Sequence, residues 1–515
     1  MAKIFSMMSR LTGEIRKNGI ANTYYKVKEK RAKTLALKDY ESDRLKSLPT
    51  AEELESQRKR NFVKDITFSI VVPTFHTPEL FLRQMVESVL GQTFCRVELC
   101  IADGSSDSSV EKVIREYQKN DDRIKYKRLS ENKGISDNTN EGLAMATGEY
   151  IGLLDHDDLL EIHALYEIRM LLAKHPEADV IYTDEDKVSF DLQHYFEPHY
   201  KPDFNPDLLR SNNYICHFLV MKRELLEQIG GFRSEYDGAQ DFDLVLRLTE
   251  AAKCVVHIPK ILYHWRSHEA STAANPMSKL YAYEAGRRAV EAHLKRCEEV
   301  GTVTDTRFYG FYQPRYQIPQ DYLIDLVVFS CKGKNHKKIL NNFSSDFHRQ
   351  NAGNVIYYEN EFNKIVINSA KQEIEREVIV FAEAGLYGVS ADMLRQLSVN
   401  CLRNGIGMAG GRILSENGEL LYGRMEPDQK DVLVHADAGL PKGFTGYFHK
   451  AILQQNTEAV SHRLFAVRTS LLKEWQPDIS ESSEELMMQL CLFVKKSGYR
   501  ISYVPIATAN RKRDG

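Results

Sequence analysis

The segment ITFSIVVPTFHTPELFLRQMVESVLGQTFCRVELCIADG, residues 66–104, decides the fold class. It opens with an apolar, β-branched run, ITFSIVVP (66–73), which is typical of a buried strand. Apolar residues then recur at helical spacing between Pro78, which suits the first turn of a helix, and Gly91, which suits its end. A second apolar run, VELCIA (97–102), follows, so the segment predicts a strand, a helix and another strand.

The same alternation continues along the chain. It predicts helices over 108–119, 137–146 and 159–174, and strands over 124–129, 149–154 and 179–183. Strands separated by helices of this length predict an α/β fold with a mainly parallel sheet. Such sheets bind ligands beyond the carboxyl ends of their strands, so the residues that follow each strand are the first candidates for a functional site.

Length and composition limit the class of protein. The 515 residues allow two or three separate cores, because a single core rarely serves more than about 250–300 residues. A content of 43% hydrophobic and 27% charged residues excludes collagen-like, disordered and disulfide-scaffold chains. The net charge of −3 gives no overall field that would recruit nucleic acid. The eight cysteines show no CxxC pair and no metal-ligand spacing, which indicates reduced thiols in the cytoplasm.

The charge is concentrated at the N-terminus. Residues 1–40 hold ten Lys and Arg against three acidic residues, a net +7 that leaves −10 for the remainder. Five apolar residues near the start recur at helical spacing and predict a basic amphipathic helix: Ile4, Phe5, Met8, Leu11 and Ile15. Such a helix can lie in an anionic membrane surface or dock on protein. We expect residues 1–20 to contact the inner face of the cell membrane, and residues 1–61 to form an N-terminal region and connector. No window approaches the roughly 18 apolar residues of a membrane-spanning helix, so a cytoplasmic, peripheral protein is expected.

Acidic residues follow three of the predicted strands: Asp103 and Asp107, then Asp155, Asp157 and Asp158, then Asp184, Glu185 and Asp186. Carboxylates gathered at one sheet edge repel each other unless a cation is bound, and their oxygens are ligands that suit Mg²⁺ or Mn²⁺. Aspartate is also a common helix N-cap, so Asp107, and either Asp157 or Asp158, can instead cap the helices that follow. Capping explains about one residue in a cluster and leaves the others for binding.

Seven motifs follow one another between residues 70 and 266: IVVPTF (70–75), IADGSSD (101–107), ENKGISDNTNEGLAMATGEYIGLLDHDD (131–158), YTDEDK (182–187), KPDFNPDLLRSNNYI (201–215), GGFRSEYDGAQDFDLVLRL (230–248) and HIPKILYHWR (257–266). In order and spacing they resemble the catalytic domain of glycosyltransferase family 2, over about residues 66–298. The resemblance implies a GT-A fold, which is a Rossmann-like nucleotide-diphospho-sugar domain. It also implies a divalent metal, Mg²⁺ or Mn²⁺, and inversion at the anomeric carbon.

The resemblance implies which residues bind the donor. Pro73, Thr74 and Asp103 would line the nucleoside pocket, with Asp103 accepting a hydrogen bond from a pyrimidine base. The family often has two aspartates at this turn, whereas here Ala102 precedes a single Asp103. Lys133 is a candidate for contact with the diphosphate, although most lysines are simply solvated.

The resemblance also implies the metal site and the base. Asp155 and Asp157 match the D-x-D pair that contacts the ribose and the metal-bound diphosphate, and His264 matches a position near the metal or the diphosphate. Asp241 matches the catalytic base, which would take the proton of the acceptor hydroxyl during attack on the anomeric carbon. Asp243, two residues later, is a second candidate for the base, or instead orients a loop or caps a helix.

Further residues are candidates for the acceptor or diphosphate site. Lys201 and Arg266 would contact diphosphate unless they are ordinary surface cations, and Trp265 would stack on an acceptor sugar unless it packs in the core. Glu185 and Asp186 would lie near the acceptor.

A transferase domain is complete by about residue 300. We therefore expect a catalytic domain at 62–300, a linker at 301–320 and a second domain at 321–515. The chain also resembles itself: EYIGLLDHDDLL (149–160) aligns with EVIVFAEAGLYG (377–388), and LVMKRELLEQ (219–228) with FAVRTSLLKE (465–474).

The alignment places different residues at the catalytic positions of the second half. Glu383, Gly385, Ser483 and Asn510 stand where the first half has Asp155, Asp157, Asp241 and His264. We therefore expect a degenerate GT-A-like domain, as in tandem bacterial glycosyltransferases, that serves acceptor docking or formation of a homodimer.

Together these features predict an inverting, metal-dependent glycosyltransferase. The expected donor is a nucleotide sugar, either dTDP-rhamnose or a UDP-hexose. The expected acceptor is a hydroxyl of a lipid-linked saccharide in the synthesis of a bacterial cell-surface polysaccharide. The alternative is a metal-dependent phosphohydrolase that uses LLDHDD (153–158) as an aspartyl-nucleophile loop.

Overall fold

The computed structural model describes residues 24, 40–267, 280–330, 353–428, 430–478 and 482–512. The amphipathic helix expected at residues 1–20 lies outside these ranges. Within them, the chain folds into two successive α/β halves, each built on one large mixed sheet. None of the helices in the described ranges combines the length and the apolar character needed to cross a bilayer.

The first half is preceded by two short helices, Tyr40–Ser47 and Ala51–Lys59. Its strands are β1 (Phe68–Thr74), β2 (Val97–Asp103), β3 (Ile124–Arg128), β4 (Tyr150–Leu153), β5 (Leu159–Leu160), β6 (Val180–Ser189), β7 (Tyr195–His199), β8 (Leu219–Lys222) and β9 (Val255–Ser267). Its helices are Glu79–Leu90, Ser109–Gln118, Ile135–Leu143, Ala164–Lys174, Pro206–Leu209, Arg223–Ile229, Gln240–Ala251 and Leu280–Arg296, with a 3₁₀ turn at Ser234–Tyr236.

The first sheet has the strand order β3-β2-β1-β4-β8-β6-β9-β5, and β7 pairs with β6. Strands β1 to β4 are parallel to their neighbours, while β8 runs antiparallel between β4 and β6. All seven residues of β1 are buried, as expected for a central parallel strand covered on both faces. The helix Ile135–Leu143 lies so close to the sheet that a Cβ on Gly142 would come within 2.7 Å of Val71. The predicted α/β fold with a mainly parallel sheet is confirmed.

Several predicted boundaries are shifted. The strand expected at 179–183 runs on to Ser189, so Asp184, Glu185 and Asp186, expected after the strand, lie inside β6. The helix expected at 159–174 begins only at Ala164, because Leu159 and Leu160 form β5 and pair with His264 and Tyr263 of β9. Two leucines suit either structure, and their partner strand lies about a hundred residues away in the chain, beyond the reach of local periodicity. No side chain caps this helix.

Residues 301–320, predicted as a linker, contain the antiparallel strands β10 (Gly301–Asp305) and β11 (Tyr312–Tyr316). The second half follows with β12 (Ile324–Phe329), β13 (Gly353–Tyr358), β14 (Val378–Glu383), β15 (Leu386–Tyr387), β16 (Ile406–Ser415), β17 (Leu420–Tyr422), β18 (Arg424–Pro427), β19 (Leu433–His435), β20 (Gln455–Thr457), β21 (Ala459–Val460), β22 (Leu464–Arg468) and β23 (Arg500–Arg511). Its helices are Lys364–Glu373, Ala391–Leu402, Thr469–Glu474 and Ser483–Lys496, with a 3₁₀ segment at Tyr447–Ile452.

The second sheet repeats the order of the first. Its path is β13-β12-β14-β22-β16-β23-β15, which matches the path β2-β1-β4-β8-β6-β9-β5 strand for strand. The pairing registers also agree with the alignment of the two halves. Ile151 pairs with Met221 in the first sheet, and the aligned residues Ile379 and Val467 pair in the second.

The two halves share part of their packing. One apolar cluster of the first half includes Val399 and Leu453 from the second. At the same junction Asp207 is buried and accepts hydrogen bonds from the Arg403 guanidinium and from Ser502 Oγ, the latter at 2.7 Å. Arg403 also donates to Glu299 at 3.1 Å. The contact between the halves is therefore a buried core with a charged centre.

Candidate active site

The site lies where β1, β2 and β4 end, beside Glu185 and Asp186 in the middle of β6. Thr74 and Asp103 are paired last residues of β1 and β2, which brings two predicted donor-binding residues together. Asp103 is fully buried, and its Oδ1 accepts from Thr74 Oγ1 at 3.1 Å and from the Ser105 amide at 3.0 Å. Its Oδ2 accepts from the Tyr126 hydroxyl at 2.8 Å. The structure thus shows Asp103 fixing the turn after β2, next to Pro73.

The three aspartates in the loop after β4 differ in their exposure to solvent. The side chain of Asp155 is 55% exposed and that of Asp157 is 20% exposed. Asp158 is fully buried, and it accepts from the Tyr263 hydroxyl at 2.5 Å and from the Arg266 backbone N–H at 2.8 Å. Burial, followed by the charges of Asp155 and Asp157, raises the pKa of Asp158 well above its usual range. Asp158 therefore ties the loop to β9 and caps no helix.

His217 lies beside Asp155 and was not singled out by the sequence. Its Nε2 is 3.8 Å from Asp155 Oδ2, and its ring stacks on Tyr263 with 4.8 Å between the ring centroids. Burial lowers the pKa of His217, but Glu185, Asp155 and Asp158 raise it to about 9. The imidazole is therefore positively charged at neutral pH and faces the exposed carboxylate.

Glu185 contacts His217 on the side of the ring away from Asp155. Its Oε2 accepts from the His217 backbone N–H at 2.5 Å and lies 3.3 Å from Nδ1, while Oε1 is 3.4 Å from His199 Nδ1. Burial raises the pKa of Glu185, but Lys201, His199 and His217 bring it well below its usual range. Lys201, predicted to contact diphosphate, has a fully buried side chain whose Nζ donates to the carbonyls of Ile215, at 3.0 Å, and His217.

His264, predicted near the metal, has a carboxylate at each ring nitrogen. Asp186 Oδ1 is 2.6 Å from its Nδ1 and Glu161 Oε2 is 3.2 Å from its Nε2. Burial lowers its pKa, but Asp186 and Glu161 raise it to about 9. Both ring nitrogens of His264 therefore face carboxylates, and its role as a metal ligand stays a prediction. Helix Tyr40–Ser47 closes the cluster, because Tyr40 donates to Asp186 at 2.6 Å and Arg44 to Glu161 at 2.8 Å.

Asp241 stands in the first turn of the helix Gln240–Ala251 and accepts a hydrogen bond from Asn213 Nδ2 at 3.1 Å. Burial raises its pKa above the usual range, and the charges of His217 and Asp155 are close enough to affect it. Asp243, the second candidate for the base, is fully buried between Arg233 and Arg247, whose Nε atoms each lie 2.9 Å from its Oδ2. Asp243 is therefore engaged in an ion-pair cluster.

The remaining predicted residues have different surroundings. Lys133 is exposed, and its Nζ is 3.8 Å from Glu131. Trp265 is half-buried, with the Lys187 ammonium 5.3 Å from its ring centroid. Arg266 is fully buried and donates to the carbonyls of Asp157, at 2.6 Å, and Phe190, at 2.8 Å. Arg266 thus supports the loop from inside, and Trp265 remains accessible from outside.

Asp155 and Asp157 are the residues of this loop that are predicted to bind a divalent cation. Both are partly exposed, they sit at the open end of the sheet, and carboxylate oxygens suit Mg²⁺ or Mn²⁺. A second group, Glu250, His293 and Cys297, also gathers within 4.8 Å. There, Arg210 Nε lies 3.0 Å from His293 and Arg296 lies 2.7 Å from Glu250, so cations already balance that group.

The corresponding end of the second sheet carries no such pair in the described residues. Glu383, aligned with Asp155, is 3% exposed and is paired with Arg511 at 2.8 Å and with Arg463. Asn510, aligned with His264, pairs with Tyr387 of β15. A carboxylate neutralised by two guanidinium groups does not attract a metal ion.

Comparison with known proteins gives a family for the first half. Residues 69–230 match the family model described as Glycosyl transferase family 2. The chain is 30% identical over 482 residues, 85% of its length, to the uncharacterized protein y4gI of Sinorhizobium fredii. It is 38% identical over 262 residues, 50% of its length, to the O-antigen biosynthesis protein RfbC of Myxococcus xanthus.

The chain spans only 52% of the rhizobial protein and 20% of RfbC. Among solved structures, the Staphylococcus aureus TarS fragment 1–349 in complex with UDP-GlcNAc is similar with a TM-score of 0.37 and 20% identity, over 44% of this chain and 66% of that one. The family match covers the loop with Asp155 and Asp157 and the strands that position it. Within the first half, residues 69–230 therefore match the glycosyltransferase family 2 model.

Proposed function

We propose that this chain transfers a sugar, with inversion, from a nucleotide-sugar donor to a hydroxyl of a lipid-linked saccharide in the synthesis of a bacterial surface polysaccharide. One observation carries the proposal. Asp241, which has a raised pKa, and the exposed Asp155 lie within electrostatic range of the same charged His217. The proposal thus assigns a base, a metal ligand and a cation to three groups whose charges act on one another, with His217 Nε2 3.8 Å from Asp155.

In this proposal Asp155 and Asp157 would hold a divalent cation, and the bound ion would supply positive charge to stabilise the leaving diphosphate. His217 places a positive charge on the same side. Asp241 accepts the proton of the acceptor hydroxyl while the oxygen attacks the anomeric carbon, and the Asn213 amide keeps its carboxylate in position. Pro73, Thr74 and Asp103 form the floor under the nucleoside.

The wider role rests on weaker support. The name of RfbC, O-antigen biosynthesis protein, supports a surface polysaccharide as the product. The basic sequence of residues 1–20 supports a lipid-linked acceptor at the membrane surface. Either dTDP-rhamnose or a UDP-hexose is the donor in this proposal. The family match favours glycosyl transfer over the phosphohydrolase alternative.

The second half is proposed to be a degenerate copy of the first that retains the framework without the donor chemistry. The common strand order and registers support a shared origin. The ion pairs of Glu383 with Arg463 and Arg511 support the loss of a metal site.

A panel of nucleotide sugars tests the proposal. With Mn²⁺, one donor of the panel is expected to raise the melting temperature and to be hydrolysed slowly in the absence of acceptor. Asp155→Ala is expected to abolish both effects, because it removes a carboxylate from the proposed metal site, while Lys112→Ala, an exposed residue of the helix Ser109–Gln118, leaves both unchanged. If no donor stabilises the protein, or if Asp155→Ala retains turnover, the proposed function is wrong.

A further inference from the structure

Tyr447 and Phe448 of the second half contact the residues at the end of β7 in the first half. The Tyr447 hydroxyl donates to the Pro198 carbonyl at 2.7 Å and accepts from the Tyr200 backbone N–H at 2.9 Å, so it bridges both neighbours of His199. The Phe448 ring stacks on the His199 ring, with centroids 3.7 Å apart and an interplanar angle of 9°. One side chain holds the backbone around His199, and the other holds its imidazole.

His199 leads directly to the donor site. It pairs with Glu185 across β7 and β6, and its Nδ1 is 3.4 Å from Glu185 Oε1. The other oxygen of the same carboxylate holds the backbone N–H and the ring of His217. His217 in turn lies 3.8 Å from Asp155. Glu185 Oε1 faces His199 and Glu185 Oε2 faces His217, so the position of one group constrains the next.

The series is enclosed. His199 is 6% exposed and Glu185 is 8% exposed, so water is largely excluded from both. The Phe448 ring forms part of the cover over His199. Without that ring, the imidazole gains room to turn away from Glu185, and water gains access to the carboxylate.

The backbone of the segment that contains Phe448 is unusual. Phe448 and His449 both have positive φ angles, 46° and 60°, which side-chain-bearing residues rarely adopt. Both rings rest on the first half: Phe448 on His199, and His449 on Phe308 with centroids 4.0 Å apart. Such conformations persist where surrounding contacts fix them, and they concentrate at functional contacts.

We infer that the second half positions the donor site of the first: Tyr447 and Phe448 fix His199, which through Glu185 holds His217 beside Asp155. The inference rests on the proposed function and assigns the second half a part in it. Tyr447 and Phe448 are positioning residues, because neither touches the space around Asp155.

The test uses the full chain with Phe448→Ala, Tyr447→Phe and the conservative Phe448→Tyr. Hydrogen–deuterium exchange by mass spectrometry reads residues 195–201 and 213–220 without any need for turnover. Phe448→Ala is expected to raise exchange in both segments and to lower kcat/KM for transfer about 10- to 100-fold, since small misplacements of catalytic groups cost that much. Phe448→Tyr keeps the stack and is expected to behave as wild type.

Tyr358→Ala is the matched control, because this tyrosine lies on the edge strand β13 of the second sheet and bonds to Glu373. It is expected to leave exchange at 195–201 and kcat/KM unchanged. Unaltered exchange and turnover in Phe448→Ala, or equal losses in Tyr358→Ala, overturn the inference. If Phe448→Ala does not fold, Tyr447→Phe, which loses one oxygen atom, gives the same reading. If the wild type turns over no donor, the proposed function is wrong. The hydrogen–deuterium exchange measurement still tests whether Phe448 and Tyr447 fix the segments around His199 and His217.

Discussion

At the scale of single residues, the site depends on carboxylates in contrasting surroundings. Asp155 is open, Asp158 is buried and bonded, and Asp241 is partly buried beside a charged histidine. The same side chain therefore serves as a ligand, as a structural tie and as a candidate base, according to what surrounds it.

Asp241→Asn is predicted to lower kcat by about 10²- to 10⁴-fold, because an amide cannot take the proton of the acceptor. Donor affinity, measured by thermal stabilisation, is expected to remain. In the wild type the carboxylate must be ionised, so activity falls as the pH drops through the pKa of Asp241. Burial raises that pKa, which places the acid limb of kcat/KM above the ordinary range near about 3.9. An acid limb at the ordinary value would contradict the assignment.

Asp158→Ala is predicted to reduce the free energy of unfolding by about 3 kcal/mol, since it leaves the Tyr263 hydroxyl and the Arg266 amide buried without an acceptor. Asp158→Asn keeps a hydrogen-bonding amide and is expected to lose far less. Because the pKa of Asp158 is raised in the folded state, its carboxyl costs stability as the pH rises above its unfolded pKa. Urea unfolding at several pH values measures both effects, and Asp158→Asn should flatten the pH dependence.

At the scale of elements, periodicity predicted most strands and helices between residues 66 and 183, since each apolar run there matches a buried face. The misplaced helix start at 159–174 shows the limit: Leu159 and Leu160 acquire their partner only when β9 arrives. For the site as well, local sequence order predicted some residues, and contacts between distant parts of the chain determined the others. The ends of β1, β2 and β4 were predicted from order along the chain, whereas His217, two residues beyond a recognised motif, owes its charge to Glu185 32 residues earlier. Lys201, predicted to contact diphosphate or to be an ordinary surface cation, is instead buried beside Glu185, sixteen residues earlier in the chain.

Glu383 ties three strands of the second sheet, because it ends β14 and bonds to Arg511 of β23 and to Arg463, next to β22. Glu383→Ala is predicted to lower the free energy of unfolding by about 3 kcal/mol, because the buried Arg511 and the partly buried Arg463 lose this carboxylate. The kcat for sugar transfer is expected to stay at the wild-type value at temperatures where the variant is folded. Chemical denaturation and an activity assay on one preparation check both parts. A loss of transfer by the folded variant would show that the second half still takes part in chemistry through Glu383.

At the scale of the whole molecule, the halves are joined through charge as well as apolar packing. Burial raises the pKa of Asp207, but Arg403 and Arg210 hold it well below its usual range. A charge of this kind is stable only while its partner stays in place. The two halves therefore depend on each other for stability.

Arg403→Ala is predicted to cost about 3–5 kcal/mol, because it leaves Asp207 buried and partly unpaired. Calorimetry is expected to show two separate unfolding transitions where the wild type shows one. Arg315→Ala removes an exposed arginine of β11 and serves as the control, with no change expected. A single unshifted transition in Arg403→Ala would show that apolar packing alone holds the halves together.

The pairing of Glu383 with two arginines has an evolutionary consequence. If the halves arose by duplication, a single substitution in the second half cannot restore a cation site. A carboxylate introduced at Gly385 would leave Glu383 paired with both arginines, and removal of either arginine first would leave Glu383 buried with less compensation. Each of these first substitutions therefore gives a protein that is less stable or that still has no cation site in its second half. The loss of the cation site in the second half is therefore hard to reverse. Later substitutions in the second half can then be selected only for the support that it gives to the first half.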